Sequence, residues 1–502
     1  MPELQELINQ YQNIQKKLRA LDFINYIVSW DSETEAPIGC FDLRAKQIGV
    51  ISEMSYDILM NEQTKQIVNA LYNQRDRLTS VMNKEITYLY KNIKKKELIP
   101  ATELINYEML LSKTPAIWAE AKQENNFELF RPYLEEIVSF NRKYTKYLET
   151  ETLKGYDVLL DEYEEGSSTS FYDKFFSLLK QEIVPLVKKI TSMKLSRNES
   201  FLKHKYNVNL QKKFCNYLMQ EMKFNFFYGF MKESEHPFTS GFGTTDVRIT
   251  NHYYENAPTS SIFSTIHETG HALYEMQCDE ELDDTLVGGG TSMAVHESQS
   301  RFYENIIGRN YAFWKKHYPK LQSTFKKQLK DTTLDDFYLY INKVENSLIR
   351  TEADELTYSI HIMIRYELEK GLIDGSIEVK DLPTKWNQMY KEYLGIDVPS
   401  DTQGVLQDIH WAGGSIGYFP TYALGSAYAA QFYNAMQKDL NIEQILENED
   451  LTKINEWLKE KVHRFGRTKT PKEILLFATN EEFNPAYYVD YLKNKYKKIY
   501  NI

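Results

Sequence analysis

The sequence predicts a mostly α-helical protein, one large body with a groove and one small antiparallel sheet. Three observations carry this expectation. Apolar residues recur at spacings of three and four through most of the 502 residues. One stretch, Thr244-Thr245-Asp246-Val247-Arg248-Ile249-Thr250, instead alternates polar and apolar residues with the period of a strand. No internal repeat, low-complexity tract or Pro/Ser-rich linker divides the chain, so residues 1–502 read as a single domain.

Taken in order, residues 1–30 read as a helix, with Leu4, Leu7, Ile8, Tyr11 and Ile14 on one face. Trp30-Asp31 through Pro37-Ile38-Gly39 reads as a break. Residues 42–150 form a series of helical patterns, and helices resume at Phe171–Met193 and Leu210–Glu221. Gly241 and Gly243 precede the alternating stretch as in a hairpin. The resulting sheet would present a free edge able to pair with an extended peptide. A helix follows over Ser260–Met276, with start signals at Pro258, Thr259 and Ser260. Gly288-Gly289-Gly290 stops the chain before another helix capped at Thr291 or Ser292. Residues 333–371 read as a long helical region, Gly404–Gly425 as a loop rich in glycine and rings, and helices close the chain.

Composition narrows the function. The formal net charge is −11 and the isoelectric point about 5.6, which argues against nucleic acid or an anionic membrane as partner. The three cysteines, Cys40, Cys215 and Cys278, are far apart and odd in number, so no disulfide framework is expected. The first residues lack the basic-then-apolar pattern of a signal peptide, and no apolar run is long enough to span a bilayer. These features predict a soluble, cytoplasmic protein.

The chemistry centres on His267-Glu268-Thr269-Gly270-His271, an H-E-x-x-H pattern. Four residues of α-helix turn through about 400°, so the two imidazoles stand one turn apart and about 40° apart in azimuth. Such a pair can bind one Zn²⁺, and Glu268 can serve a water on that ion as general base. Ile262, Ile266, Thr269 and Leu273 fall on the opposite side, where the helix can pack. A catalytic zinc needs a third protein ligand and an open position. Val295-His296-Glu297-Ser298 offers Glu297, 26 residues after His271, and beside it His296, which points about 100° away on the helix.

Arg248 and Arg350 carry forks that match a carboxylate bidentately, such as the C-terminal carboxylate of a peptide. Spacing alone favours structural ion pairs instead, Arg350 with Asp354 and Arg248 with any acid. His410, Tyr418 and Tyr422 in the glycine-rich loop can each donate to an oxyanion, and no spacing rule chooses among them.

Together these residues resemble the Taq-type metallocarboxypeptidases. The similarity runs nearly end to end. It includes Trp30-Asp31-x-x-Thr34-x-x-Pro37, His236-Pro237-Phe238, Asp246-x-Arg248-x-Thr250 and His267-Glu268-x-x-His271. His296-Glu297-Ser298-Gln299, Ile349-Arg350-x-x-Ala353-Asp354 and Gly404-x-x-Gln407-Asp408-x-His410-Trp411 complete it. The resemblance implies a mostly helical homodimer with a deep groove, with a helical part over about 1–200 and a catalytic part over about 201–502. It implies release of single residues from peptide C-termini with broad preference, usually sparing Pro. It assigns His267, His271 and Glu297 to the metal, Zn²⁺ with Co²⁺ also possible, and Glu268 to the base. It places His236, Arg248, Arg350 and Gly404–Trp411 around the substrate. Two rival expectations are an oligopeptidase or dipeptidyl carboxypeptidase on a related scaffold, and a non-catalytic peptide-binding protein. An intact Glu268 argues against the latter, because a binder needs no base.

Overall fold

A computed structural model describes residues 3–193 and 198–502, so the first two residues of the expected N-terminal helix lie outside it. Helix α1 (Leu4–Thr34) buries Leu7, Tyr11, Leu18, Leu21, Tyr26 and Trp30 along one stripe. It runs through Trp30 and Asp31, where a break was expected. The stripe itself extends that far, and Trp30 packs edge-on against Phe230 and Phe238. The helix ends only as Pro37 approaches, since the residue before a proline is driven out of helical geometry. With α2 (Phe41–Met60), α3 (Glu62–Tyr72) and α4 (Ser80–Leu98) it forms an N-terminal layer. That layer has its own small core of Leu7, Tyr11, Ile67, Val68, Leu71, Ile86, Leu89 and Ile93.

The main core runs from Leu110 to Tyr500. Its first helices are α5 (Ala101–Gln123), α6 (Phe127–Leu148), α7 (Tyr156–Tyr163), α8 (Thr169–Thr191) and α9 (Val208–Glu221). In α6 the buried positions Phe127, Phe130, Leu134, Ile137 and Val138 keep the helical spacing. No helix among the described residues is long and apolar enough to cross a membrane.

The small sheet comprises β1 (Gly229–Glu233), β2 (Thr239–Gly241) and β3 (Val247–Asn251) in the order β1-β3-β2. It is mixed rather than antiparallel. β2 turns back onto β3 as the glycines predicted, but β1 lies on the other flank of β3 and runs parallel to it. Gly229 permits that approach, because a Cβ there would strike the Val247 carbonyl.

Helix α10 (Pro258–Met276) carries the H-E-x-x-H residues and starts with Pro258 in its first turn. Ile262, Ile266, Thr269 and Leu273 are buried as expected. α11 (Met293–Arg301) is capped by Ser292, whose Oγ accepts from the Val295 N–H at 3.1 Å. It continues into a wide π-helical turn, Phe302–Ile307. α12 (Tyr311–Thr324) and α13 (Leu334–Ile341) follow.

The expected long helical region over 333–371 is interrupted. Apart from a 3₁₀ turn at Arg350–Glu352, the chain is irregular over 342–354 and resumes α-helix at α14 (Glu355–Asp374). Asp354 forces the restart: its carboxylate caps α14 through the Leu356 and Thr357 N–H groups at 2.9 and 3.1 Å. After α15 (Leu382–Leu394), turns occupy 401–419, and α16 (Pro420–Asp439) begins earlier than the expected loop allowed. Tyr422 and Gly425 are therefore helical. α17 (Ile442–Asn448), α18 (Thr452–Lys461), α19 (Pro471–Thr479) and α20 (Ala486–Tyr500) complete the chain.

Candidate metal centre and active site

Three glycines bring the central helices unusually close. A Cβ on Gly270 of α10 would lie 2.8 Å from the Gln299 carbonyl and from Ser300 Cα on α11. One on Gly425 of α16 would lie 2.7 and 2.8 Å from Cβ and Cγ of Glu297. Gly290 plays the same part in the turn before α11, where a Cβ would fall 2.5 Å from the His296 ring. Small residues at these crossings let α11 sit between α10 and α16 with Glu297 turned towards the histidines.

The Glu297 Oε2 atom lies 3.8 Å from His267 Nε2 and 3.7 Å from His271 Nε2. Tetrahedral ligands at about 2.0–2.1 Å from one ion stand roughly 3.3–3.5 Å apart, so the three donors fit a single divalent cation. Their other polar atoms are tied back. His267 Nδ1 donates to Glu304 Oε2 at 2.8 Å. Arg301 Nε donates to Glu297 Oε1 at 2.7 Å and its Nη1 to Glu304 at 3.0 Å. The pairing of Glu297 with Arg301 engages Oε1, and Oε2, which accepts only a long 3.4 Å bond from the Ser300 hydroxyl, faces the histidines. His296, the alternative third ligand, has both nitrogens engaged elsewhere: Nδ1 meets His271 Nδ1 at 2.8 Å and Nε2 meets Glu275 at 2.6 Å. The sequence offers Arg301 as an i,i+4 ion-pair partner of Glu297, and that pair is present. Glu304 was not singled out, although its signal was available, since it follows Glu297 by seven residues on one helical face.

Glu268 is buried beside this group. The Thr239 hydroxyl on β2 donates to its Oε2 at 2.7 Å, which ties the sheet to the metal helix. Burial pushes the Glu268 carboxyl up, and the nearby His267 and the Thr239 bond offset only part of that. A groove of about 670 Å³ opens here, lined among others by Pro237, His267, Glu268, Glu304, Arg350 and Tyr358.

Arg350 reaches the groove from the irregular segment before α14. It does not pair with Asp354, which is spent on capping. Its Nε and Nη2 donate to Asp408 Oδ1 at 3.1 and 2.8 Å, and its Nη1 to the Tyr358 hydroxyl at 3.2 Å. Asp408 is shared with the fully buried Arg365, whose Nε donates to its other oxygen at 2.8 Å. Burial alone would raise the Asp408 carboxyl, but the two guanidinium groups hold it well below the usual range. Gln407 accepts from the Arg350 N–H at 2.9 Å and from Arg365 Nη2 at 2.8 Å. Two cations share one carboxylate, and of the two it is Arg350 that lines the groove.

The three oxyanion candidates form one cluster. His410 Nε2 lies 3.2 Å from the Tyr422 hydroxyl, and the Tyr418 and Tyr422 rings meet edge-on at 5.1 Å. Tyr422 also lies under the Arg350 guanidinium at 5.0 Å. Burial lowers the His410 imidazole to about 4, so it is neutral near pH 7. Two predicted residues stand apart. Arg248 on β3 does not line the groove; it grips Asp246 bidentately, both bonds at 2.7 Å, inside a cage of Tyr26, Trp30 and Phe230. His236 is exposed between β1 and β2, and its neighbour Pro237 reaches the groove instead.

Fold and site together define a helical metallopeptidase, with an H-E-x-x-H helix, a carboxylate from the next helix and a buried arginine on one groove. A family model described as carboxypeptidase Taq (M32) metallopeptidase matches residues 10–496, and the chain belongs to that family. Carboxypeptidase 1 of Bacillus subtilis is 42% identical over 475 residues, covering 94% of this chain and 95% of the relative. Thermostable carboxypeptidase 1 of Pyrococcus furiosus is 36% identical over 496 residues, covering 98% of each. The solved M32 carboxypeptidase from Deinococcus radiodurans R1 superimposes with a TM-score of 0.95 at 31% identity, over 99% of this chain and 100% of that one. The protein is accordingly a metallocarboxypeptidase, a hydrolase that acts on peptides and uses a divalent metal.

Proposed function

We propose that this enzyme releases single residues from peptide C-termini with broad preference and spares Pro, and that Zn²⁺, or Co²⁺ in its place, is held by His267, His271 and Glu297. The observation that carries this reading is the convergence of two Nε2 atoms and one Oε2 atom whose partner atoms are all tied back. A divalent ion there supplies Lewis acidity for the scissile carbonyl and lowers the pKa of water. Glu268, one residue from a ligand and oriented by Thr239, takes a proton from the attacking water and passes it to the leaving amine. Arg350 receives the substrate's terminal carboxylate, because it is the buried guanidinium on the groove and sits in a cationic pair. Arg248, committed to Asp246, braces the strand next to the site rather than meeting substrate in this conformation. His410, Tyr418 or Tyr422 steadies the oxyanion from the cluster beside Arg350. The edge of β2, next to Glu268, can pair with an extended peptide backbone, and His236 flanks the entrance. The enzyme is proposed to work as a cytoplasmic homodimer.

The test is a timed digest of a short peptide, followed by mass, with and without chelator, as free acid and as C-terminal amide. Stepwise loss of one residue from the acid, abolished by chelator and largely absent for the amide, is expected. Dipeptide release or internal fragments would replace this reading with a dipeptidyl carboxypeptidase or an oligopeptidase.

A further inference from the structure

His267 is steadied directly by a carboxylate, Glu304, whereas His271 is steadied by another imidazole. We propose that Glu275 and His296 form a positioning chain that fixes the proton of His271 on Nδ1 and so keeps its Nε2 lone pair on the metal side. This rests on the reading of His271 as a ligand.

The argument is one of hydrogen-bond polarity. His271 Nδ1 and His296 Nδ1 face each other at 2.8 Å, so one of the two nitrogens carries a hydrogen and the other accepts it. His296 Nε2 lies 2.6 Å from Glu275 Oε1, and a carboxylate can only accept, so Nε2 of His296 carries hydrogen. In the neutral ring Nδ1 of His296 is then the acceptor, and His271 Nδ1 the donor. The opposite polarity would set a lone pair against a carboxylate at 2.6 Å and place hydrogen on His271 Nε2, where it faces the Glu297 oxygen as a proton instead of offering a lone pair. With both rings neutral, polarity therefore runs one way, from Glu275 through His296 to His271.

The surroundings fit a device built for orientation. Glu275 lies one turn after His271 on α10, and its Oε1 also accepts from the Gly290 N–H at 3.1 Å. The Tyr274 ring packs on His296 at 5.0 Å, and its hydroxyl accepts from the Thr291 N–H at 3.1 Å. The absence of a side chain at Gly290 leaves the space that the His296 ring fills. Residues 296 and 297 thus divide the work: one steadies a ligand on α10, and its neighbour is itself a ligand.

Metal affinity of the full-length protein, measured by competition with a chromophoric chelator, tests this without reference to turnover. Partners of this kind are typically worth about 10–100-fold in affinity. His296→Met, close in size but without polarity, is expected to lose affinity on that order. His296→Gln can accept from His271 Nδ1 through its oxygen and donate to Glu275 through its nitrogen, and is expected to recover most of it. Adding Glu275→Ala to His296→Met should cost little more, because both changes break one chain. Melting curves of the metal-free proteins show that the variants are folded. Equal affinity for the Met and Gln variants, or a His296→Met affinity within about 3-fold of wild type against that 10–100-fold scale, overturns the chain while His271→Ala, stripped of metal, keeps the ligand reading. Retention of metal by His271→Ala overturns both.

Discussion

Gly425→Ala adds one methyl group at the point where α16 meets the carboxylate proposed as third ligand. In the present structure that carbon would stand 2.7 and 2.8 Å from Glu297 Cβ and Cγ and 3.1 Å from the Ala294 carbonyl, against 3.4 Å or more for ordinary contact. Either α16 retreats by roughly 0.7 Å or Glu297 turns, and neither is free in a core packed to crystal-like density. Overpacking of this kind costs about 1–3 kcal/mol. Alanine returns about 1 kcal/mol through its better helix propensity, so the net loss of stability is about 0–2 kcal/mol. The larger effect falls on the metal. Glu297 Oε1 is held by Arg301, so a displaced stem swings Oε2 away from the two histidines. We expect at least about a tenfold loss of metal affinity, comparable with loss of a supporting partner, and a parallel fall in activity at limiting metal. The control is Gly49→Ala on the exposed face of α2, which meets nothing within 4 Å and should stabilise by about 0.5–1 kcal/mol. Chelator competition and urea melts measure both. A Gly425→Ala protein that binds metal as tightly as wild type would refute the claim that this crossing positions Glu297.

Glu268→Gln should keep metal and fold while losing about 10²–10⁴ in turnover; near-normal rates with metal in place would remove Glu268 from the role of base. Arg350→Ala should cut cleavage of free-acid peptides by roughly two orders or more, in line with a truncated buried charge pair, and barely alter the slow cleavage of amides. An equal loss on both substrates would mean that Arg350 supports the fold through Asp408 rather than reading the chain end. Stability should also depend on pH through Glu369, a fully buried carboxyl that accepts from Tyr156, Trp411 and the Gly417 N–H. Burial raises it from 4.5 to about 7. The folded state therefore holds its proton more tightly, stability is fully present below about 4.5, and it is lost as pH rises through about 7. The loss is at most about 3 kcal/mol. The depressed carboxyls Asp408 and Glu304 act only below that window, with the opposite sign. Urea midpoints should fall between pH 5 and 7.5, and Glu369→Gln should reduce the slope to the part left by Glu164 and Asp354, buried carboxyls raised to about 7 and about 6; an unchanged slope would exclude Glu369 as a source.

The metal helix was legible because its chemistry is local. His267, Glu268 and His271 need only one helical turn to converge, and the apolar face opposite them declares which side is buried. Glu297 was reachable as a candidate but not separable from His296 by spacing. The distinction depends on how α11 is rotated against α10, which Gly270 and Gly425 set from outside the motif. Arg350 was misread in its local setting, because NKVENSLIRTEAD contains neither glycine nor proline and continues a helical composition. The break is made by Asp354 capping backward, a choice that tertiary contacts enforce. The parallel pairing of β1 was hidden for a related reason: Gly-Phe-Met-Lys-Glu has no clean alternation, and its partner β3 lies beyond an intervening strand. Thr239 could not be found at all from sequence, since its role is to bring β2 to a carboxylate 29 residues away.

The small core of α1–α4 contains none of the catalytic candidates and forms a cluster separate from the large one. Among the described residues, Leu286 from beyond α4 packs against it. Beyond the ring contacts that the C-terminal half of α1 makes with Phe230, Phe238 and Phe242, the junction is polar: Arg19 to the Asp283 carbonyl, Tyr26 to Asp246, and Glu85 accepting from the Leu286 N–H. Few buried apolar contacts and polar seams are what separate cooperative folding units. Amides in α3 and α4 should then exchange with solvent through a cheaper opening than those of α10 and α14, and mild denaturant should release the first hundred residues as a unit before the rest. Native-state hydrogen exchange would resolve the two openings as separate isotherms, and the enzyme's resistance to proteolysis would be set by the weaker of them.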